Sequence, residues 1–310
     1  MENEKNPNKT HLTGTNPAKN GAAEHAGFYQ ELEMRTKYVD THQDVTYTNF
    51  QVNLHSHNFY EFLFCHSAAD AEYLVGANRY RLQKGDVILI PPGISHRPLL
   101  PEQLPEPYRR DVLWISQELM EQVEKTLPEE ERFHAQEYRL LRTAGTRWEF
   151  IGELFRHGVQ EFEEQAPGWE EIVLGNTIQI LVYLRRAVQD RSAAPLKAEK
   201  PDLLNQVLVY IEEHLAEKIS LGDIAKLFWV SQSTISQTFR NKLGVSFYRC
   251  VTQRRLIAAK NLILEGLPLE TVGQKVGFAD YSSFYRAFKQ EFGISPRQFR
   301  KKQEQPEHTP

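Results

Sequence analysis

Four residues with metal-binding side chains lie in two short segments of the N-terminal half. His55, His57 and Glu61 form a His-x-His-x3-Glu pattern, and His96 ends a Gly-x5-Pro-x-Gly-x2-His pattern that begins at Gly85. In a continuous strand, residues 55, 57 and 61 would share one face, because side chains alternate. Three imidazoles and one carboxylate suit Zn, Fe, Mn or Ni. We therefore predict a candidate binding pocket at these four residues. A divalent metal is a possible cofactor there, and no cofactor is required.

The elements that must position these residues are short β-strands. Residues 28 to about 118 contain short runs rich in aromatic and β-branched residues, separated by turns such as Gly76-Ala77-Asn78 and Pro91-Pro92-Gly93. Regularly spaced short strands predict a sandwich or barrel. The predicted runs cover residues 45–54, 59–65, 71–75, 79–82, 86–90 and 111–115. Within them, Tyr60 and Tyr73 are predicted to join the pocket as stacking surfaces, and Arg97 is expected to be a solvated surface residue.

Together, the two histidine patterns resemble the two motifs of the cupin family. The resemblance implies a small jelly-roll barrel in which His55, His57, Glu61 and His96 hold a metal. The asparagine often found after the last histidine of the family is missing, since Leu99 and Leu100 follow. Two readings stay open: a metal-binding cupin, or a sensor in which the same positions line an effector pocket without metal.

The C-terminal third contains one helix-turn-helix pattern written twice. The first copy runs from Asp223 to Ser246 and the second from Glu270 to Ser295. Matching positions are 48 residues apart before the turn and 49 residues apart after it, so the second turn has one additional residue. Such a duplication predicts two contacts with DNA.

Each copy contains an amphipathic helix. Ile235, Phe239 and Leu243 recur at i, i+4 and i+8, as Phe284, Phe288 and Phe292 do in the second copy. The opposite faces carry small polar residues and basic residues, which suit a helix in a major groove. The predicted DNA-binding residues are Ser233, Ser236, Gln237, Arg240, Tyr281, Ser282, Ser283, Tyr285, Arg286 and Lys289.

The segment between the copies sets their separation. Ser246 is a predicted N-cap, and the helix it begins is expected to run to Glu265, before Gly266 and Pro268. About 20 residues span roughly 30 Å, close to the roughly 34 Å between successive major grooves on one face of DNA. The basic residues of this segment are expected to be available for phosphates or acidic partners. They are Arg249, Arg254, Arg255 and Lys260.

The last hundred residues resemble the DNA-binding domain of the AraC/XylS family of bacterial transcription regulators. The residues that carry the resemblance are Ala225, Ser231, Ile235, Phe239, Gly244, Gly277-Phe278, Ser283-Phe284, Phe288-Lys289, Phe292-Gly293 and Ser295-Pro296. The resemblance implies binding of double-stranded DNA through two adjacent major grooves, and activation by contact with RNA polymerase. The chain departs from the family pattern at Gly273, where alanine is usual, and we expect little effect beyond a softer helix.

Charge divides the chain in the same way. Residues 201–310 hold 15 Lys and Arg against 11 Asp and Glu, a net charge of +4, whereas residues 1–200 hold 22 against 30, a net charge of −8. The net charge of the whole chain, −4, is therefore the sum of an acidic N-terminal region and a basic C-terminal region.

The predicted fold class is α+β with two domains: an N-terminal cupin-like β jelly-roll with a helical region, and a C-terminal all-α double helix-turn-helix. The helical region has more apolar surface than one helix packed over a barrel needs, which favours a homodimer, although packing within the chain is the alternative. The predicted segments are a disordered tail (1–27), a sensor domain (28–146), a helical dimerisation region (147–189), a linker (190–201), a DNA-binding domain (202–302) and a tail (303–310).

Composition favours a cytoplasmic protein. Cys65 and Cys250 lie far apart in apolar stretches, which favours free buried thiols. No segment approaches 18 apolar residues, and the first 26 residues lack the apolar core of a secretory signal, so no membrane association is expected.

We therefore predict a transcription regulator, not an enzyme, whose N-terminal domain senses a small molecule such as a sugar or related metabolite. Two alternatives remain. A metal-dependent cupin enzyme fused to a DNA-binding module would hold stoichiometric metal and turn over a substrate. An architectural protein would bind any DNA with similar affinity.

Overall fold

The computed structural model describes residues 34–47, 54–125, 127, 132, 139–190 and 202–304. The predicted tail 1–27 lies outside the described residues, as do residues 191–201 of the predicted linker and residues 305–310 of the predicted C-terminal tail. Residues 48–53 of the predicted strand 45–54 also lie outside them, and the strand in this region comes earlier, at residues 39–46.

Two antiparallel sheets form the N-terminal domain. The strands are β1 (Val39–Thr46), β2 (Tyr60–Ser67), β3 (Glu72–Val75), β4 (Asn78–Arg81), β5 (Asp86–Ile90), β6 (His96–Leu99), β7 (Tyr108–Ile115) and β8 (Arg139–Arg142). One sheet has the order β1-β7-β2-β5-β8 and the other has the order β4-β3-β6. The short strands β6 and β8 were not among the predicted runs.

Alternation along β2 separates two apolar cores. Phe62 and Phe64 belong to a core between the five-stranded sheet and the helices, whereas Leu63 and Cys65 belong to a core that both sheets share. Tyr73 of β3 enters the shared core from the other sheet. The interior of the N-terminal domain is therefore lined by every second residue of its strands.

Three helices accompany the sheets: α1 (Gln117–Lys125), α2 (Ile151–Glu164) and α3 (Trp169–Gln189). Val173, Ile180 and Leu184 of α3 are buried against the five-stranded sheet and α2. The opposite face of α3 leaves Ile172 and Ile178 exposed by 43% and 39%. Part of the apolar surface of α3 thus packs within the chain, and an exposed apolar stripe remains.

The C-terminal domain is helical. Its helices are α4 (Leu203–Glu213), α5 (Leu221–Leu227), α6 (Gln232–Leu243), α7 (Phe247–Leu264), α8 (Leu269–Lys275), α9 (Tyr281–Phe292) and α10 (Pro296–Glu304). Side-chain N-caps fix the starts of several helices, because each cap oxygen accepts a hydrogen bond from a free backbone N–H. Ser231 caps α6, Ser246 caps α7 and Asp280 caps α9.

The structure reproduces the duplication element by element. Helices α5 and α8 begin 48 residues apart, whereas α6 and α9 begin 49 residues apart. The additional residue is Ala279, which lies between the turn and the cap Asp280. Both α6 and α9 end at a glycine with positive φ, Gly244 and Gly293.

Gly273 corrects one expectation. A Cβ at this position would lie 2.9 Å from Cβ of Phe284, closer than real Cβ atoms approach another heavy atom. A methyl group at residue 273 would therefore collide with the first atom of the Phe284 side chain, so glycine permits the close approach of α8 to α9. The expectation that it only softens the helix was wrong.

A sheet-rich N-terminal domain with antiparallel strands and a C-terminal helix-turn-helix domain confirm the predicted fold class. Among the described residues, no helix is both long and apolar enough to span a bilayer.

Candidate functional site

The predicted DNA-binding face consists of the outer surfaces of α6 and α9. Their inner residues are buried, with Ile235, Phe239, Phe284 and Phe288 fully inaccessible to solvent. Of the ten predicted contact residues, seven are exposed: Ser233, Gln237, Arg240, Tyr281, Ser282, Arg286 and Lys289. The amphipathic pattern thus places the buried and the polar faces as expected.

Three predicted contact residues are only partly exposed: Ser236, Ser283 and Tyr285. Ser283 has a structural partner, because its Oγ donates to Asp280 Oδ2 at 2.8 Å and its backbone N–H donates to Asp280 Oδ1 at 2.7 Å. The ring of Tyr285 lies 6.2 Å from that of Tyr281. Ser283 therefore helps to begin α9, and its hydroxyl already has an acceptor.

Helix α7 connects the two halves of this face. It lies between the caps Ser246 and Glu265, the two residues predicted as its ends. Its 18 residues correspond to about 27 Å at 1.5 Å per residue. This length is compatible with contacts in two successive major grooves, which lie about 34 Å apart.

The basic residues of α7 were expected to be available for phosphates, and the structure shows otherwise. Arg249 pairs with Glu291 at 2.5 Å, and Arg255 donates to the carbonyl oxygens of Leu215 and Glu217. The remaining two are buried: Arg254 lies against Glu212, and Lys260 lies over the rings of Phe292 and Phe299. All four hold the domain together, because helix faces that look polar in sequence can be covered by other elements.

A second candidate site lies inside the N-terminal domain. His57, Glu61 and His96 are buried, and one potential ligand atom from each lies within 4.8 Å of the others. Glu61 Oε2 is 2.9 Å from His96 Nε2 and 3.5 Å from His57 Nε2. Glu61 lies on β2 and His96 begins β6, so the two sheets meet at this cluster, which we call the His57–Glu61–His96 triad.

The outer atoms of the triad are held by other groups. Nδ1 of His57 lies 2.8 Å from the Phe59 carbonyl oxygen, and Nδ1 of His96 lies 2.8 Å from that of Ile94. Because a carbonyl oxygen only accepts, both Nδ1 atoms must carry the proton. Glu61 Oε1 accepts a hydrogen bond from Trp114 Nε1 at 2.9 Å. In metal sites, hydrogen bonds of this kind to the outer atoms of the ligand side chains fix the orientation of those side chains.

The inner atoms of the triad lack donors. His57 Nε2, Glu61 Oε2 and His96 Nε2 are buried without a hydrogen-bond partner among the described residues. Burial lowers the pKa of His57, which favours the neutral ring with a bare Nε2. Two imidazole nitrogens and one carboxylate oxygen therefore converge on one point, where a bound cation would satisfy all three.

The structure separates the predicted pocket residues. His55 stays outside the triad, with its ring centroid 4.3 Å from that of His96. Residues 56–59 are not strand, so the assumption of a continuous strand from 55 to 61 was wrong. Tyr73 is fully buried in the shared core, 6.4 Å from the ring of His96. Tyr60 packs in the outer core beneath the helices, because it is the neighbour of Glu61 and points to the opposite face of the sheet.

Sequence reasoning missed Trp114 and Phe59. Trp114 lies opposite Glu61 in the register of β2 and β7, and Phe59 stacks on His57 with a centroid distance of 4.0 Å. No ligand motif includes either residue. Strand pairing alone identifies Trp114 as the partner of Glu61.

The N-terminal domain contacts the C-terminal domain through the outer face of the three-stranded sheet. Leu74 and Ala77 join the apolar core of the first helix-turn-helix unit. Arg97, predicted to be solvated, is buried instead, and its guanidinium donates to the carbonyl oxygen of Leu243 at 2.9 Å. Arg254 of α7 donates to the carbonyl oxygen of Gly76 at 3.1 Å. These contacts leave the outer faces of α6 and α9 exposed.

A polar cluster extends this interface. Arg79 of β4 pairs with Asp202 at 2.5 Å and donates to the side chain of Asn205 at 2.9 Å. Asp202 also caps α4 and pairs with Lys242. On α7, the Asn261 amide donates to the carbonyl oxygen of Gly93 at 3.2 Å. Helix α4 is thus tied to β4, and α7 is tied to the loop that precedes β6.

A family model for a helix-turn-helix domain matches residues 224–302. The chain is 35% identical over 129 residues to the probable transcriptional regulator LumQ of Photobacterium leiognathi. That alignment covers 41% of this chain and 49% of LumQ, so the match spans about half the length of this relative. It is also 26% identical over 251 residues to the transcriptional activator RhaS of Salmonella arizonae. That alignment covers 79% of this chain and 86% of RhaS. The C-terminal domain of AraT, a response regulator from Geobacillus stearothermophilus, matches 36% of this chain and 93% of its own length at 28% identity and a TM-score of 0.33.

Proposed function

We propose that the chain is a DNA-binding transcription regulator of the AraC family, which its helix-turn-helix match and its likeness to the activator RhaS support. We propose further that a small-molecule effector controls it through a metal ion held by His57, Glu61 and His96. The observation that carries this proposal is the convergence of three buried ligand atoms without a donor among the described residues. Two imidazoles and one carboxylate are a common ligand set for divalent transition metals.

The chemistry of the interior suggests the kind of effector. Bound at the triad, a divalent ion would offer coordination positions to oxygen atoms of a ligand. Phe59 and Tyr73 provide ring surface next to His57 and His96. Hydroxyl-rich molecules such as a sugar or related metabolite combine oxygen ligands with an apolar ring face, and this chemistry supports them as the proposed class of effector.

Strand β6 supports a role in sensing rather than in turnover. His96 belongs to the triad, and the next residue, Arg97, donates to the C-terminal domain. A ligand that shifts His96 therefore changes the domain contact, and the effector favours whichever domain arrangement it binds more tightly. On this proposal the metal captures the effector and no substrate is converted.

The output of the switch is promoter binding. We propose that α6 and α9 enter two adjacent major grooves of double-stranded DNA, and that the bound protein activates transcription by contacting RNA polymerase. The exposed stripe of α3, which includes Ile172 and Ile178, supports a homodimer in which two copies of this helix pair.

Metal analysis of the full chain tests the sensing part. The parent protein, purified without chelator, is expected to retain a stoichiometric transition metal, and Glu61→Gln is expected to lose it. His157→Ala, which changes an exposed histidine on α2, is the control and is expected to keep the metal. After removal of the metal, added Zn²⁺, Fe²⁺, Mn²⁺ or Ni²⁺ should raise the Tm of the parent protein but not that of Glu61→Gln. Equal metal content in all three proteins, or no Tm response to any ion, would contradict the metal site.

A footprint tests the output separately. The parent protein is expected to protect one discrete segment of the DNA upstream of its target genes, spanning two adjacent major grooves. Uniform protection of unrelated DNA would instead indicate an architectural protein. Release of product from a candidate metabolite, lost in Glu61→Gln, would indicate an enzyme.

A further inference from the structure

Trp229 is the most exposed large apolar residue among the described residues. Its side chain is 94% exposed, and it lies in the turn between α5 and α6. Its φ of 56° places it in the left-handed region, which residues with a side chain rarely adopt. Two unfavourable features therefore coincide at one residue, and strained residues of this kind cluster at functional sites.

The second copy of the motif shows what the turn itself requires. Gly277 occupies the equivalent position with a φ of 88°. The backbone hydrogen bonds of the two turns match: Trp229 N–H donates to the Lys226 carbonyl oxygen at 3.2 Å, and Gly277 N–H donates to that of Gln274 at 3.0 Å. The same turn thus forms around glycine, and folding of this turn does not explain the tryptophan.

The residues beside Trp229 hold it outward. Phe228 and Val230 are partly buried and pack against the core of the first helix-turn-helix unit. The Val230 N–H donates to the carbonyl oxygen of Ala225 at 3.0 Å, which fixes the turn from the other side. The described part of the N-terminal domain leaves the indole uncovered, since almost all of its surface is exposed. The ring is therefore presented to solvent by an ordered backbone.

The position of Trp229 is continuous with the DNA-binding face. Ser231, two residues later, is the N-cap of α6, and the contact residue Ser233 follows. In helix-turn-helix proteins the N-terminal end of the recognition helix lies deepest in the major groove. A residue just before that end faces the sugar-phosphate backbone that borders the groove. Lys226, three residues earlier, is also exposed and adds a positive charge close to the turn.

We propose that Trp229 is a DNA-contact residue whose indole packs against the deoxyribose-phosphate backbone beside the groove occupied by α6. The inference rests on the proposed entry of α6 into a major groove. The contact is apolar and independent of base sequence, and it fixes the position of the protein on the duplex rather than its sequence preference. Indole suits this role, because it combines a large apolar face with one hydrogen-bond donor.

The test uses the full chain and a duplex selected from a random pool by the parent protein. Trp229→Gly copies the second turn and removes the left-handed strain, so its Tm is expected to equal or exceed that of the parent. Its affinity for the duplex is expected to fall at least about fivefold, the effect of losing one buried aromatic contact. The salt dependence of binding is expected to stay unchanged, because no charge is lost. Trp229→Phe keeps a ring at this position and is expected to retain most of the affinity.

Fluorescence provides a second readout. The other three tryptophans are less exposed, with Trp114 at 9% and Trp148 at 6% and Trp169 partly buried. The difference between the parent and Trp229→Phe therefore isolates emission from Trp229. Acrylamide is expected to quench this emission in the free protein and much less in the complex with DNA.

Arg286→Ala separates this proposal from the underlying one. If Arg286→Ala weakens binding while Trp229→Gly does not and the indole stays accessible in the complex, the role of Trp229 is refuted and groove binding stands. If neither variant weakens binding, groove binding by these helices fails as well, and the proposal falls with it.

Discussion

His96 and Arg97 are neighbours on β6, yet their side chains serve different domains. His96 Nε2 lies 2.9 Å from Glu61 Oε2 inside the N-terminal domain, whereas the Arg97 guanidinium donates to the Leu243 carbonyl oxygen at the end of α6. Alternation along a strand causes this division. One strand of four residues therefore connects the candidate effector site with a recognition helix.

Arg97→Met is expected to weaken the contact between the domains. It removes the donor for the Leu243 carbonyl oxygen, and loss of one partner of a buried hydrogen bond costs about 1–3 kcal/mol. Hydrogen exchange is expected to become faster in β6 and in the last turn of α6. Arg81→Met, which changes an exposed arginine of the same sheet, is the control; equal exchange in both variants would mean that Arg97 does not hold the domains together.

Asp202→Asn tests the polar part of the same interface. Asparagine keeps the N-cap of α4 but removes the charge that pairs with Arg79 and Lys242. Since Asp202 is partly exposed and Arg79 keeps Glu72 as a second partner, we expect a loss of only about 0.5–1 kcal/mol in unfolding free energy at pH 7.

The pH dependence of this loss has a definite sign. Burial tends to raise the pKa of Asp202, but bonds from Lys242 and Asn205 lower it overall. The contribution of the carboxylate is therefore complete above its unfolded pKa of about 3.9 and disappears as the pH falls through the lower folded pKa. The difference between parent and variant, measured by denaturant unfolding, should be constant from pH 8 to pH 5 and shrink below about pH 4. A difference that grew towards acid pH would contradict the pairing.

Gly273→Ala is expected to destabilise the C-terminal domain by about 1–3 kcal/mol, despite the better helix propensity of alanine. The new Cβ would meet Phe284 at 2.9 Å. The atom nearest to the new methyl group is Cβ of Phe284, which isoleucine shares, so the double variant Gly273→Ala with Phe284→Ile is expected to recover little of the loss. Thermal unfolding of the three proteins checks this, and full recovery would show that the outer ring atoms of Phe284, rather than its Cβ, cause the clash.

Arg240→Ala and Arg286→Ala are each expected to lower affinity for the native promoter and to leave the effector response of the N-terminal domain intact. Each removes an exposed guanidinium from a recognition helix. A contact to a base edge is worth about 1–3 kcal/mol. Lys125→Ala, which removes the same charge from an exposed site on α1, is the control in a binding titration. Parental affinity in both arginine variants would rule out the assignment of the two helices to grooves.

Ile178→Asp is expected to shift the protein towards monomer. The residue is 39% exposed on the outer stripe of α3, so a charge there disturbs a partner helix more than the chain itself. Sedimentation at several concentrations measures the change, with Gln189→Asp at the end of α3 as the control. An unchanged dimer in both variants would place the dimer interface elsewhere.

Local patterns decided how much of the C-terminal domain was predictable. The helical period of Ile235 and Phe239 fixes which side of α6 is buried, and the same period repeats at Phe284 and Phe288. The N-cap Ser246 and the turn glycine Gly277 act within a few residues of their own positions. Because both signals are local, they survive in a single sequence.

The triad was predictable only in part. The sequence identified His57, Glu61 and His96 as ligand types, but it also included His55 and placed Tyr60 in the pocket. Strand parity already separates Tyr60 from Glu61, since adjacent residues face opposite sides. The position of His55 depends on the irregular backbone before β2, which no periodicity describes.

The sequence by itself determined a duplicated helix-turn-helix, the polar faces of its recognition helices and a set of ligand residues, because each follows from short-range spacing. Only the tertiary structure decided that Arg254 and Lys260 are buried, that Arg97 joins the domains and that Trp114 orients Glu61. The partners in these contacts lie 53 to 178 residues away along the chain for Trp114, Arg97 and Arg254. Contacts over such sequence separations arise when sheets and domains pack, and the local sequence around each of the two contacting residues does not encode them.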